Sequence, residues 1–128
     1  MRVTGLPPYD QGNIFARILR GEIPCQRVHD DDVALAFRDI NPQAPTHILV
    51  IPKGAYVSHA DFSANASDAE IAGFWRAVGA VARAEGLEAT GYRILSNMGE
   101  DGGQEVPHFH VHIFGGRRIV RMVPAAAP

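Results

Sequence analysis

Cysteine is almost absent from this chain: Cys25 stands alone among 128 residues. No internal disulfide can form, so stability must come from a packed core, and a reducing cytoplasm is the expected compartment. No apolar segment approaches the roughly 20 residues of a membrane span. Met1 to Pro8 lacks the apolar run of a signal peptide. An excess of either charge is missing too: the net charge is −2 and the 12 basic residues are dispersed. That balance gives no electrostatic reason to expect a nucleic-acid or membrane partner. Neither Cys-x-x-Cys nor His-Glu-x-x-His occurs, which removes two common zinc-site spacings. At this length, with 46% apolar residues, one domain with a true core is expected.

What the chain does have is histidine in an unusual row. His108-Phe109-His110-Val111-His112 places half of the 6 histidines at every second position. A strand sends alternate side chains to opposite faces, so the three imidazoles share one face while Phe109, Val111 and Ile113 share the other. The apolar face serves folding; the imidazole face is a candidate for chemistry. A metal site is limited by reach. At roughly 3.3 Å per residue the Cβ atoms of His108 and His112 are about 13 Å apart, so one ion could take two adjacent members but not all three. Acid–base or covalent work on an anion fits better. An unperturbed imidazole, with a pKa of about 6.5, is mostly neutral at pH 7 and can attack phosphorus while its neighbours hold oxygens.

The approach to the row suits a phosphate. Asn97-Met98-Gly99-Glu100-Asp101-Gly102-Gly103-Gln104 is glycine-rich, and backbone amides free of Cβ crowding can close on an anion, although Asp-Gly-Gly is equally an ordinary turn.

Along the chain, Asp10 or Asn13 can cap a short helix carrying Ile14, Phe15, Ile18 and Leu19, ended by Gly21 and Pro24. Cys25 to His29 and Val33 to Asp39 read as strands joined at a solvated Asp30-Asp31-Asp32 turn. His47-Ile48-Leu49-Val50-Ile51 reads as a central buried strand. Ser67-Asp68-Ala69-Glu70 is a capping box opening one long helix, whose stripe is Ile71, Phe74, Trp75, Val78, Val81 and Ala82. Trp75 belongs to core or to a subunit interface. Gly73 and Gly79 inside this helix each cost about 1 kcal/mol relative to alanine, which close packing could offset. Gly91 to Asn97 and His108 to Phe114 complete the strands. The expectation is an α+β fold, an antiparallel meander of about five strands with one long and one short helix. Residues 1–12 form an arm, loose over Met1 to Pro8; 13–117 form the domain; 118–128 form a tail, with Pro124 to Pro128 unstructured.

His108-Phe109-His110-Val111-His112-Ile113-Phe114 resembles the signature of the histidine triad family. Asn13-Ile14-Phe15, Arg20-Gly21-Glu22-Ile23-Pro24, Phe37-Arg38-Asp39-Ile40, Pro42 to His47, Gly91-Tyr92-Arg93 and Asp101-Gly102-Gly103-Gln104 resemble its Hint branch in the same order, over about Asn13 to Gly116. The resemblance implies a nucleotide-binding hydrolase of (purine) nucleoside 5'-phosphoramidates. In that reading His110 is the nucleophile, His108 and His112 steady it and the phosphoryl oxygens, and His47 completes the cluster. It further implies Asp39 on the ribose hydroxyls; Ile14, Phe15, Ile18, Phe37 and Ile40 around the base; and Asn97, Gly103, Gln104 and Glu105 on the phosphate side. No metal or other cofactor is implied, and a homodimer is. A dinucleoside polyphosphate hydrolase and a non-catalytic nucleotide-binding adaptor are the alternatives.

Four features depart from relatives. Glu105 stands where animal members usually carry serine, and Arg38 replaces a common histidine. The tail lacks their tryptophan. Asn13 and Ala16 occupy the places of paired zinc-binding cysteines.

Overall fold

The computed structural model describes residues 2–123. Asn13 has an extended backbone, and its side-chain oxygen accepts from the Ala16 N–H at 2.9 Å. That bond satisfies a donor the first helical turn leaves free and starts α1 (Ile14–Leu19). The chain then runs through β1 (Arg27–Asp30), β2 (Ala34–Arg38) and β3 (Thr46–Pro52). The acidic turn between β1 and β2 is closed by Asp31, whose carboxylate accepts from the Val33 and Ala34 N–H groups at 2.7 and 2.8 Å. After β3 come α2 (His59–Asn65), α3 (Asp68–Ala84), β4 (Arg93–Leu95), α4 (Gly99–Gly102) and β5 (Val111–Gly115).

All strand pairs are antiparallel, in the spatial order β1-β2-β3-β5-β4. The expected α+β fold with five strands is present. Adjacent strands are sequence neighbours in β1–β3 and in β4–β5, while the helical connection after β3 delivers β4 to the outer edge. Two helices exceed the expected pair. α2 arises from local capping: Ser58 Oγ accepts from the Asp61 N–H, and the Asp61 carboxylate accepts from the Val57 N–H at 2.8 Å. α4 is a single turn. Elements this short show no helical period in the sequence. Among the described residues, no helix is long and apolar enough to cross a membrane.

Parity along the strands divides the core. Ala34 and Ala36, Ile48 and Val50, and Phe109, Val111 and Ile113 face α3, where they meet Phe74, Ala77, Val78 and Val81. Leu35, Phe37, Leu49 and Ile51 face the other way, towards Phe15 and Ile18 of α1. The capping box at the head of α3 is formed, with Glu70 N–H to Ser67 Oγ at 3.1 Å and Ser67 N–H to Glu70 Oε1 at 3.2 Å. Gly73 has its packing reason, since a Cβ there would lie 3.1 Å from Val33 Cγ2. Gly79 does not, because its surroundings are open to within 3.9 Å. Trp75 remains exposed on the outer flank of α3.

One expectation needs correction. The N-terminal stretch is not loose. Gly5 is buried, its carbonyl accepts from Ser58 Oγ at 2.6 Å, and a Cβ on it would stand 3.0 Å from both Gln104 Oε1 and the Gly99 nitrogen. Its φ of 74° also favours glycine. The tail is tied over its first part, where Arg93 Nη1 donates to the Arg121 carbonyl at 2.6 Å. Pro124 to Pro128 lie outside the described residues.

Candidate active site

Only His112 of the histidine row lies within β5; the ladder begins at Val111. His108 and Phe109 form an irregular approach, with the Phe109 N–H bonded to the Tyr56 carbonyl at 2.8 Å. Alternation survives the irregularity. Phe109 stacks on Phe62 with ring centres 4.8 Å apart, while the Phe15 ring stands edge-on to both His108 and His110 on the opposite side.

His47 joins through sheet register. Leu49 pairs with His112 and His47 with Phe114 across β3 and β5, so His47 and His112 are diagonal neighbours on one face. Their rings meet, Nε2 of His47 standing 3.0 Å from Nδ1 of His112.

Backbone partners determine where each ring carries its proton. A carbonyl can only accept and an N–H can only donate. His110 Nδ1 lies 2.7 Å from the His108 carbonyl and must donate, which leaves Nε2 with its lone pair and no partner among the described residues. His108 Nε2 donates to the Pro52 carbonyl at 2.9 Å, so its Nδ1 is an acceptor. His47 Nδ1 accepts from the Gln43 N–H at 3.1 Å, so its Nε2 carries the proton and points it at His112 Nδ1. His112 is then left with Nε2–H as its free donor. The two cavity-lining rings therefore present opposite functions: His110 a lone pair and His112 an N–H.

A cavity of about 290 Å³ opens over these two rings. Phe15, Leu49 and Val106 supply its apolar wall; Asp39, Asn41, Gln43, Asn97, Gly103 and Glu105 supply polar groups. No lysine or arginine lines it, and Arg38 instead pairs with Glu85 at 2.9 Å. Asp39 follows β2 directly, with Oδ1 accepting from the Asn41 N–H at 2.8 Å and Oδ2 3.5 Å from His47 Nε2.

The structure gathers part of the expected set. Phe15, Asp39, Asn97, Gly103, Glu105, His110 and His112 line the cavity, and His47 lies directly behind His112. His108 does not: it is fully buried with both ring nitrogens bonded, so it cannot hold phosphoryl oxygens. Gln104 is spent on structure, bridging the Val57 and Val106 carbonyls and the Gly99 N–H. Ile18 and Phe37 are core beneath α1, while Ile14 is half exposed and Ile40 is 89% exposed, so none of these four lines the cavity. Sequence reading missed Asn41, Gln43, Leu49 and Val106. Leu49 carried a signal, since its parity in β3 equals that of His47. Gln43 acts through its backbone, which no side-chain motif reveals.

Asp39, His47 and His112 bring possible ligand atoms within 4.8 Å of one another, the spacing a single ion would need. The donor chemistry does not fit. A ligating nitrogen needs its lone pair, yet His47 Nε2 is the protonated nitrogen because Gln43 donates to the other one. Moving the proton to Nδ1 would set it against the Gln43 N–H.

Burial lowers the pKa of all four imidazoles. His108 and His112 are pushed to about 4 from an ordinary 6.5, chiefly by loss of solvation, with the neighbouring His110 adding to it in both. His110 is also lowered by burial, against the pull of the His108 carbonyl, Asp39 and Glu105. The rings are neutral at pH 7. For stability the sign follows directly: between pH 6.5 and about 4 the unfolded chain binds protons that the folded one refuses. Stability is therefore complete above pH 6.5 and lost as pH falls towards 4. At about 1.4 kcal/mol per pKa unit His108 alone contributes roughly 3 kcal/mol. Urea unfolding at pH 7.5 and pH 4.5 should show a loss of that order; equal stabilities would contradict the burial account.

Comparison with known proteins places this geometry. The family model for the HIT domain matches residues 20–119. A HIT-like protein of 13.2 kDa from Azospirillum brasilense is 68% identical over 115 residues, covering 90% of this chain and 94% of that protein. The purine nucleoside phosphoramidase of Escherichia coli (strain K12) is 44% identical over 110 residues, 86% of this chain and 92% of its own. A solved HIT family hydrolase from Legionella pneumophila Philadelphia 1 superposes with a TM-score of 0.76 at 46% identity, over 82% of this chain and 93% of that one.

Proposed function

This chain belongs to the HIT domain family, and on that footing we propose that it hydrolyses the P–N bond of purine nucleoside 5'-phosphoramidates through a nucleotidyl-histidine intermediate. The observation that carries the proposal is the bare Nε2 of His110, open to the cavity while Nδ1 is tied to a carbonyl. That arrangement selects one nitrogen as nucleophile without any shift of protons.

In the first step His110 Nε2 bonds to phosphorus and the P–N bond breaks. The departing nitrogen takes a proton from a water in the cavity and leaves as the amine, while His112, its Nδ1 held by the His47 N–H, donates its Nε2–H to a phosphoryl oxygen. Glu105, in the same cavity, accepts from the N–H groups of the departing amine. In the second step the hydroxide left by that water displaces His110 Nε2 from phosphorus. The sum is one amidate and one water consumed, one monophosphate and one amine released. Asp39 accepts from the ribose hydroxyls, and Phe15 and Leu49 face the nucleoside. A second copy of the chain would cover Trp75 and the edge strand β4, whose Ile94 is exposed.

Charge favours amidates over dinucleoside polyphosphates. Additional phosphates would face Asp39 and Glu105 with no cationic side chain in the cavity wall, and like-charge juxtaposition costs several kcal/mol. The kcat/KM for adenosine 5'-phosphoramidate should exceed that for diadenosine tetraphosphate by about tenfold or more. Comparable values would favour the polyphosphate hydrolase. If the wild-type protein formed no covalent nucleotidyl species after rapid quench, the adaptor reading would stand instead.

A further inference from the structure

We infer that Tyr9 is a positioning residue for the nucleophile, acting through His108; this rests on the reading of His110 as the attacking group. The Tyr9 hydroxyl lies 2.5 Å from His108 Nδ1, with the two rings edge to face at 5.6 Å. Since His108 Nε2 donates to the Pro52 carbonyl, Nδ1 holds a lone pair and Tyr9 must be the donor. Burial raises the phenol's pKa, which keeps that proton on the oxygen.

His108 thus acts twice. Its ring is clamped from both sides, by Tyr9 and by Pro52, in a fully buried position. Its own carbonyl is the acceptor that orients His110. Without the phenol, Nδ1 would be a buried acceptor with no partner among the described residues. The ring could relieve that by exchanging its proton between nitrogens, which would set a lone pair against the Pro52 carbonyl and release the clamp. Movement of the ring moves the peptide group behind it, and with it the direction of His110 Nε2.

Tyr9 is itself held by its neighbours in sequence. Gly5 is wedged against Gln104 and Gly99 and bonded to Ser58, so the N-terminal segment spans from that anchor to the back of the histidine row. It works as a strut.

The test uses the whole chain, adenosine 5'-phosphoramidate as substrate, and long-range proton–nitrogen spectra of the imidazoles. Tyr9→Phe keeps the ring and removes the donor. The expected result is a fall in the rate of His110 nucleotidylation of about tenfold, with KM within about twofold, because a positioning error of this kind acts on the reacting geometry. The His108 ring nitrogens should lose their single-tautomer pattern and the His110 Nδ1–H resonance should shift. A rate within twofold of wild type, or unchanged ring resonances in a folded variant, would overturn the inference, even if the melting temperature fell. Gly5→Val, which wedges the segment off its anchor while retaining the hydroxyl, should lower the rate in the same direction, and a folded Gly5→Val at full rate counts against the strut. The spectra need no turnover, so a wild-type protein inactive on amidates would defeat the proposed function while leaving this inference decidable.

Discussion

Replacing His110 with alanine should reduce phosphoramidate turnover by on the order of a thousandfold or more, and should remove the covalent nucleotidyl species altogether. Among the described residues no other imidazole of the cluster offers a free lone pair. His112 and His47 each have their Nδ1 engaged and carry protons on Nε2. His108 is sealed in the core with both nitrogens bonded. The fold should survive, because the ring lies beside the cavity and the protein loses one hydrogen bond to the His108 carbonyl. Rapid quench followed by intact-mass measurement reads the adduct, and thermal unfolding checks the fold. A variant that still accumulated a nucleotidyl adduct would assign the nucleophile elsewhere.

Phe109→Ala should be the most damaging change outside the site itself. Phe109 is fully buried between Phe62 and Phe74, with ring centres at 4.8 and 5.0 Å. Truncating a buried phenylalanine to alanine costs about 3–5 kcal/mol, through lost transfer energy and the cavity left behind. In a domain of this size that corresponds to a melting temperature lower by roughly 10–20 °C. Turnover should also fall at temperatures where the variant is folded. Phe109 is the apolar residue between His108 and His110, and its N–H bonds to Tyr56. Collapse of the surrounding core into the vacated space would shift the backbone that aims His110. A folded variant with wild-type turnover would show the histidine row to be held independently of the core behind it.

Much of this was legible because it is local. The Ser67 to Glu70 capping box and the Asn13 cap are written in residues three apart, and both form. The alternation of His108 to Ile113 marks two faces whether or not the whole segment pairs as a strand. His47 could be placed on a strand from its apolar run. What failed was set by distant groups. Ile14, Ile18, Phe37 and Ile40 are apolar residues whose exposure ranges from core to almost complete, and nothing in their identities separates those fates. Gln104 looked like a donor for phosphate, yet its amide is consumed by the Val57 and Val106 carbonyls. The N-terminal segment, with its glycine and prolines, read as a free arm because its anchors on Ser58, Gly99 and His108 lie far away in the chain.

The amino-acid order alone determined the class of fold and the two-faced histidine segment, since these follow from side-chain period and residue type. Tertiary structure alone decided which nitrogen of each imidazole carries the proton. The two tautomers of a free imidazole differ little in energy, so the choice falls to whichever group stands opposite. Here those groups are the backbone of residues 43, 52 and 108, together with the Tyr9 hydroxyl, brought in from four separate stretches of the chain. A row of histidines says that proton chemistry is possible; the fold's placement of carbonyls and N–H groups leaves one ring with a free lone pair and its neighbour with a free N–H.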